Sequence, residues 1–415
     1  MMLEEIFRKV KTASYELALL DDETKNSILN DVADAIIGYA DELLKANQLD
    51  LDRMEKSNPL YDRLQLTPQR LEGIASDMRN VSRLPSPLGR VMCHRVLDNG
   101  LDLKKVSVPF GVIGVIYEAR PNVTFDVFSL CLKSGNASVL KGGKDADNSN
   151  KAAMDIIKSV LNAHHINPDI SMLLPATHEA TAEMLKARGF IDICIPRGGK
   201  RLIEFVRDNA RIPVIETGAG VVHTYFDRYG NLSLGAIVIN NAKTRRVSVC
   251  NALDCLIVHA SRLADLPELC ALLEKSHVAL YADTRAKEAL QGHYPTSLLF
   301  QATDDSFGTE YMDYAMTIRT VDNMQEAVEH IRQYGSGHSE SIITDDDARA
   351  EEFQKKVDAS CVYVNAPTSF TDGAQFGMGA EIGISTQKLG PRGPMALEEM
   401  TTYKWMIKGQ GQIRP

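Results

Sequence analysis

The chain has 415 residues, 44% of them apolar and 24% charged, enough for two or three subdomains with sizeable cores. Its net charge of -9 excludes a broad nucleic-acid-binding face, although local basic clusters remain able to hold a small anion. Seven dispersed cysteines, Cys93, Cys131, Cys194, Cys250, Cys255, Cys270 and Cys361, are an odd set without disulfide-framework density, which points to a reducing cytoplasm.

Residues 3 to about 55 predict two or three amphipathic helices, with Leu3, Ile6 and Val10 at helical spacing and Asp21-Asp22 breaking the pattern. The N-terminus has no signal-peptide layout, and no window reaches membrane-spanning length. In residues 91–108, VMCHRVLDNGLDLKKVSV, two β-prone runs flank Asp98-Asn99-Gly100 and predict a hairpin. With Lys104 and Lys105 outward, this arm projects from the body.

From residue 110 short apolar runs alternate with helices: FGVIGVIY, a helix over about 123–134, NASVLK, a helix over about 147–163, ISMLL, a helix over about 177–187, IDICI, a helix over about 199–209, and IPVIE. The alternation predicts βαβ units and a doubly wound parallel sheet. A second series runs from LDCLIVH through HVALYAD, YAMTIRTV and SIIT to CVYVN, with helices between, and predicts a second α/β unit. The last 40 residues read as loops ending in a docked tail, with TTYKWMIKGQGQIRP expected as an ordered strand beside the hairpin.

Cys250 stands where a basic, loop-like segment with Lys243, Arg245 and Arg246 runs into LDCLIVH. A thiol at a strand end in a positive field is drawn toward the nucleophilic thiolate; a small buried hydrophobe is the alternative. Cys250, Cys255 and His259 lack the second CxxC or HxxxH pair that would complete a ligand set, so no metal is expected. Lys141-Gly142-Gly143-Lys144 is not a P-loop, because Ser138 replaces the first glycine and Asp145 the metal-binding hydroxyl. A kinase is thereby excluded. Gly377, Gly379 and Gly383 approximate a dinucleotide fingerprint but follow the sheets, and read as a loop needing positive φ.

Taken together, YDRLQLTPQRLEGIA at 61–75, PFGVIGVIYEARPNVT at 109–124, LCLKSGNASVLKGGK at 130–144, IPRGGKRLI at 195–203, NAKT and SVCNA around Cys250, FTDGAQFGMGAEIGISTQK at 370–388 and RGPMALEEMTTYKW at 392–405 resemble the aldehyde dehydrogenase superfamily. Within it they resemble the branch that reduces glutamyl 5-phosphate. Val247 stands where that branch usually has proline, Asp254-Cys255 where it has Glu-Thr, and Ser369 where it has arginine.

The resemblance implies an α/β, aldehyde dehydrogenase-like fold of two doubly wound domains with a projecting β-hairpin oligomerisation arm. Residues 1–90 and 109–225 would bind the dinucleotide, 226–365 would carry Cys250, 91–108 with 395–415 would form the arm and tail, and 366–394 would return to the active site. The implied reaction is NADPH-dependent reduction of L-glutamyl 5-phosphate to L-glutamate 5-semialdehyde with release of phosphate, the second step of proline synthesis, through a Cys250 thioester. Asn122 matches the asparagine that holds the oxyanion together with the Cys250 N–H, or else caps the helix starting near 123.

By the same resemblance Lys141 contacts the adenosine ribose, and Lys144, where NAD-preferring members have a glutamate, favours the 2′-phosphate of NADP. Pro196, Arg197, Gly198 and Gly199 match the pyrophosphate turn, and Glu310 the glutamate at the nicotinamide ribose. A merely solvated Lys141 and a merely superficial Glu310 are the alternatives. Glu216 stands where oxidising members keep the base that hydrolyses the thioester, a step an acyl-phosphate reductase does not need. Arg120, Arg245 and Thr371 are the candidates for binding substrate.

Two rivals remain: an oxidising NAD-dependent aldehyde dehydrogenase, suggested by Glu216, and a catalytically silent homologue acting as a binding protein, suggested by Ser369. The expected partners are a small acyl phosphate, further copies of the chain in a homodimer or homotetramer, and functional coupling to a separate glutamate 5-kinase. No nucleic acid and no membrane are expected.

Overall fold

A computed structural model describes residues 2–58, 61–218 and 220–414. The chain divides into two compact units, one of Met1–Thr217, Gly377–Gly383 and Met395–Pro415, the other of Gly218–Phe376 and Ile384–Pro394.

The first unit is built on a parallel sheet in the spatial order Ser171–Leu173, Ala137–Lys141, Val112–Tyr117, Ile193–Arg197. Val112–Tyr117 is buried along its whole length, as a central strand covered on both faces must be. Helices Asn122–Lys133, Asp147–Ala163, His178–Lys186 and Lys200–Asn209 alternate with these strands, close to their predicted ranges. IPVIE is an exception. It forms a single bridge, Cys194 with Val214, since Pro213 has no N–H to extend a ladder.

Helices Met2–Leu17, Asp22–Gly38 and Ala40–Leu51 occupy the N-terminal region. Asp21 breaks the apolar pattern because it starts the second of them, its side chain accepting from Thr24 N at 2.7 Å. Periodicity misses helix Pro68–Arg83, which begins on the Thr67 cap with proline in its first turn. The hairpin forms between Val91–Val96 and Asp102–Pro109, with Gly100 at φ 84° in its loop. The tail forms the strand expected beside the hairpin: Thr401–Lys408 is paired antiparallel along all of Asp102–Pro109.

The second unit carries a parallel sheet in the order Leu299–Gln301, Ala279–Ala282, Ala315–Val321, Cys255–His259, His223–Phe226, Ser339–Ile343, Cys361–Val364. The strand His223–Phe226 pairs on both sides inside this sheet, so the division falls after Thr217 and not after residue 225. Helix Leu232–Thr244 has the β-branched run Ile237-Val238-Ile239 in its middle, which disguises it. Cys250 therefore lies in the turn between this helix and the strand Cys255–His259, not at the strand end.

Candidate active site

The turn bearing Cys250 is clamped on both sides. A Cβ on Gly220 would collide with the carbonyl oxygen of Cys250 and press on its backbone carbon and Cα, so glycine alone lets the two backbones touch. Gly220 N is in turn held by Glu310, donating to Oε1 at 3.0 Å. On the far side, Asn251 Nδ2 donates to the carbonyls of Ser369 at 3.3 Å and Thr371 at 2.9 Å. The Thr368 hydroxyl returns a bond to Asn251 O at 2.9 Å. The thiol is only partly covered while the backbone that carries it is fixed, which suits a nucleophile that must be both reachable and aimed.

Several residues singled out from the sequence support this clamp or lie buried near it. Thr371 is fully buried, its hydroxyl 2.7 Å from both Ser339 Oγ and Tyr363 OH, so it supports the anchor under Asn251. Ser369, also buried, donates to Asn241 Oδ1 at 3.0 Å; in place of an arginine it closes the same anchor. Lys243 is withdrawn from the expected positive field, being fully buried with Nζ 4.0 Å from Asp254. Burial lowers the Lys243 pKa and pushes the Asp254 carboxyl up to about 7, against the opposing pull of Lys243. Arg245 and Arg246 stay exposed at the end of helix Leu232–Thr244. Burial pushes the Cys255 thiol up to about 12, so this cysteine stays protonated and cannot compete as nucleophile.

In the other unit, Asn122 opens helix Asn122–Lys133, but no side chain among the described residues caps that helix. Asn122 Nδ2 instead donates to Asp126 Oδ2 at 2.8 Å, so the capping alternative fails. Burial pushes the Asp126 carboxyl up to about 6, opposed first by Arg197 and then by the Asn122 bond, with Asp77 and Arg120 as weaker influences. In the turn of residues 196–199, Gly199 N–H donates to Glu118 Oε2, 2.9 Å away. Pro196 O accepts from Thr217 Oγ1 at 2.6 Å and Arg197 O from Glu118 N at 3.2 Å, which fixes the turn beside strand Val112–Tyr117. Lys141 is half-buried at its strand end, its pKa lowered by burial and by Lys144. Lys144 is exposed and lines a cavity of 730 Å³ together with Arg53, Lys151 and Lys158. Glu216 lies 3.9 Å from Arg207.

The sequence profile described as the Aldehyde dehydrogenase family matches residues 257–406. A gamma-glutamyl phosphate reductase of Bacteroides thetaiotaomicron is 62% identical over 98% of this chain and 98% of its own. A second, from Bacteroides fragilis, is 60% identical over the whole of both chains. The crystal structure of gamma-glutamyl phosphate reductase from Thermotoga maritima superposes with a TM-score of 0.95 at 39% identity, covering 99% of each chain. The chain belongs to the gamma-glutamyl phosphate reductase family.

Some of the residues gathered at these sites give little signal in the sequence. Lys151 and Lys158 stand seven apart on helix Asp147–Ala163 and face one cavity, a spacing that is visible in the sequence; Arg53 comes from a distant segment and gives no such signal. Asp126, four residues after Asn122 within the apolar run VTFDVFSL, is a charge on a buried helix and is the clue to its cluster. The Asn251 anchor, joining a turn to residues more than a hundred positions away, leaves no local trace.

Proposed function

We propose that the chain reduces L-glutamyl 5-phosphate to L-glutamate 5-semialdehyde, using NADPH and releasing phosphate. The carrying observation is the partly exposed Cys250 on a turn clamped by Gly220 and Asn251, in a chain alike over its full length to gamma-glutamyl phosphate reductases. In this reading the Cys250 thiolate attacks C5, the bond from C5 to the phosphate oxygen breaks, and C5 is held as a thioester. A bound nicotinamide cofactor supplies the hydride that reduces it. The Cys250 N–H steadies the oxyanion that develops at C5, a duty the family resemblance also gives to Asn122, whose Nδ2 gives one N–H to Asp126 and has a second to offer. Collapse breaks the C–S bond, returns the thiolate and frees the aldehyde. Arg120 and the exposed Arg245 are the proposed partners of the substrate's charged groups.

The reverse reaction tests this directly. Oxidation of glutamate semialdehyde with NADP⁺ is expected to require inorganic phosphate. Phosphate-independent oxidation of simple aldehydes with NAD⁺ would instead identify a hydrolytic dehydrogenase. Such an acyl phosphate must come from a kinase acting on the side-chain carboxylate. The dispersed free thiols suit a reducing cytoplasm.

The preference for NADPH rests on charge. The cavity at Lys144 brings four cationic side chains, Arg53, Lys144, Lys151 and Lys158, against two carboxylates, Asp147 and Asp155, chemistry that fits a 2′-phosphate better than a 2′-hydroxyl. The Gly198-Gly199 turn fits the pyrophosphate, since its N–H already takes an anionic partner. Lys144→Glu is expected to cut the ratio of NADPH to NADH specificity by about 10- to 100-fold, the worth of one charge-assisted contact. An unchanged ratio of kcat/KM values for the two cofactors would remove Lys144 from the site.

The assembly proposed is a homodimer, alone or paired into a tetramer, formed through the ribbon and tail. Their sheet exposes Val91, Met92, Val96, Tyr403, Trp405, Met406 and Ile407, more apolar surface than a three-stranded sheet leaves open without a partner. Light scattering is expected to give a dimeric or tetrameric mass that falls on deletion of residues 406–415. A monomeric mass for the full chain would overturn the assembly.

A further inference from the structure

The second unit gathers a buried cluster that the reductase chemistry does not use. His223 and Cys255 are the first residues of adjacent parallel strands and are direct Cα partners, so their side chains leave the same face of the sheet. His330, from helix Met324–Tyr334, meets them there. One ligand atom from each of the three lies within 4.8 Å of the others. Cys255 Sγ is 3.6 Å from His330 Nε2, and the two imidazole rings stand edge to face with centroids 5.5 Å apart.

His223 carries the decisive detail. It is fully buried, and its Nδ1 lies 3.0 Å from Glu340 Oε2; with Glu340 as the carboxylate the proton sits on Nδ1 and Nε2 is left as a lone pair. That Nε2 is buried with no hydrogen-bond partner among the described residues, an arrangement that costs free energy unless something accepts the lone pair. A carboxylate bonded to the remote nitrogen of an imidazole is also the usual support of a metal-ligating histidine.

We infer that His223 Nε2, Cys255 Sγ and His330 Nε2 form a binding site for a zinc ion. Zinc takes nitrogen at about 2.0 Å and thiolate sulfur at about 2.3 Å, so ligand atoms already this close need only side-chain adjustment to surround it. Binding breaks the Cys255 S–H bond, and the proton leaves to solvent as the S–Zn bond forms. The thiolate and the buried Glu340 carboxylate together balance the two positive charges of the ion, so the filled site carries no net charge into the core. Phe307 and Tyr334 pack on His330 with ring centroids 5.1 and 4.7 Å away. Both also line a cavity of 260 Å³ that reaches His330 and carries Asp304, Glu326 and Glu329 against Arg319, an acidic entry for a cation. Cys255 begins the strand that follows the Cys250 turn, so the ion would tie that strand, its neighbour and one helix together. The trio weighed from sequence spacing, Cys250, Cys255 and His259, is not the site: His259 closes the same strand with Nδ1 2.8 Å from Ser261 Oγ.

The full-length protein, stripped with chelator, is titrated with cobalt(II) as the spectroscopic stand-in for zinc. The expected result is a thiolate-to-cobalt charge-transfer band in the wild type that persists in Cys250→Ala, disappears in Cys255→Ser, and is discharged by added zinc. Zinc at about a hundredfold excess over its Kd should raise the melting temperature by about 3 °C. Glu340→Gln should weaken cobalt binding by about 10- to 100-fold. No band in the wild type at excess cobalt, or a band that survives in Cys255→Ser, overturns the site; the wild-type titration decides even if a variant fails to fold.

Discussion

Cys250→Ala is expected to lower turnover by about 10⁴-fold or more, the loss seen when a covalent nucleophile is removed, with NADPH affinity and melting temperature essentially unchanged. The thiol is partly exposed, and the contacts that hold its turn are made by backbone atoms of residues 250 and 251 and by the Asn251 side chain. Removing the sulfur therefore leaves the clamp intact. Burst kinetics on the acyl phosphate, read as phosphate release at enzyme concentration, separates loss of the first step from loss of hydride transfer. Retention of a tenth of wild-type turnover would end the thioester mechanism. Mass mapping after brief alkylation adds a second reading: Cys250 should label far ahead of Cys255, whose thiol burial holds protonated.

Strands and helices of the two parallel sheets are legible wherever length and burial agree. Val112–Tyr117 and Cys255–His259 are continuous apolar runs because both faces are covered. His223–Phe226 and Leu299–Gln301 are too short to show a period, and helix Leu232–Thr244 is apolar on most sides, so neither alternation nor amphipathicity marks them. The tail strand Thr401–Lys408 is legible, since Tyr403, Trp405 and Ile407 alternate with Thr402, Lys404, Met406 and Lys408 at the period of a strand. At the candidate site the chemical groups are legible and their supports are not. Cys250, Lys144 and the Gly198-Gly199 turn announce themselves by residue type. The duties of Thr371, Ser369 and Lys243, and the pairing of Asn122 with Asp126, depend on what the folded chain places beside them. The His223, Cys255 and His330 cluster spans three elements, and no local spacing encodes it.

Gly220→Ala is expected to reduce kcat by about a hundredfold, the scale of effect when reacting groups are misplaced by about 1 Å. A methyl group at this position meets backbone atoms of Cys250 first, and backbone has no rotamer by which to swing aside. The strain has to be relieved by moving the Cys250 turn or by lengthening the bond from Gly220 N to Glu310, and either displaces the nucleophile. Overpacking of this kind also costs about 1 to 3 kcal/mol of stability. Gly73→Ala is the matched control. It lies exposed inside helix Pro68–Arg83 with no described atom within 4 Å of where an added methyl would sit, and should raise stability by about 0.5 to 1 kcal/mol without altering kcat. Contacts to the adenosine end of NADPH should survive Gly220→Ala, because Lys141, Lys144 and the Gly198-Gly199 turn belong to the first unit and Gly220 to the second; Glu310, the candidate at the nicotinamide ribose, is bonded to Gly220 and would be disturbed with it. If Gly220→Ala turned over at the wild-type rate, the clamp would not be what aims the thiol, and the anchor at Asn251 would have to fix the turn alone.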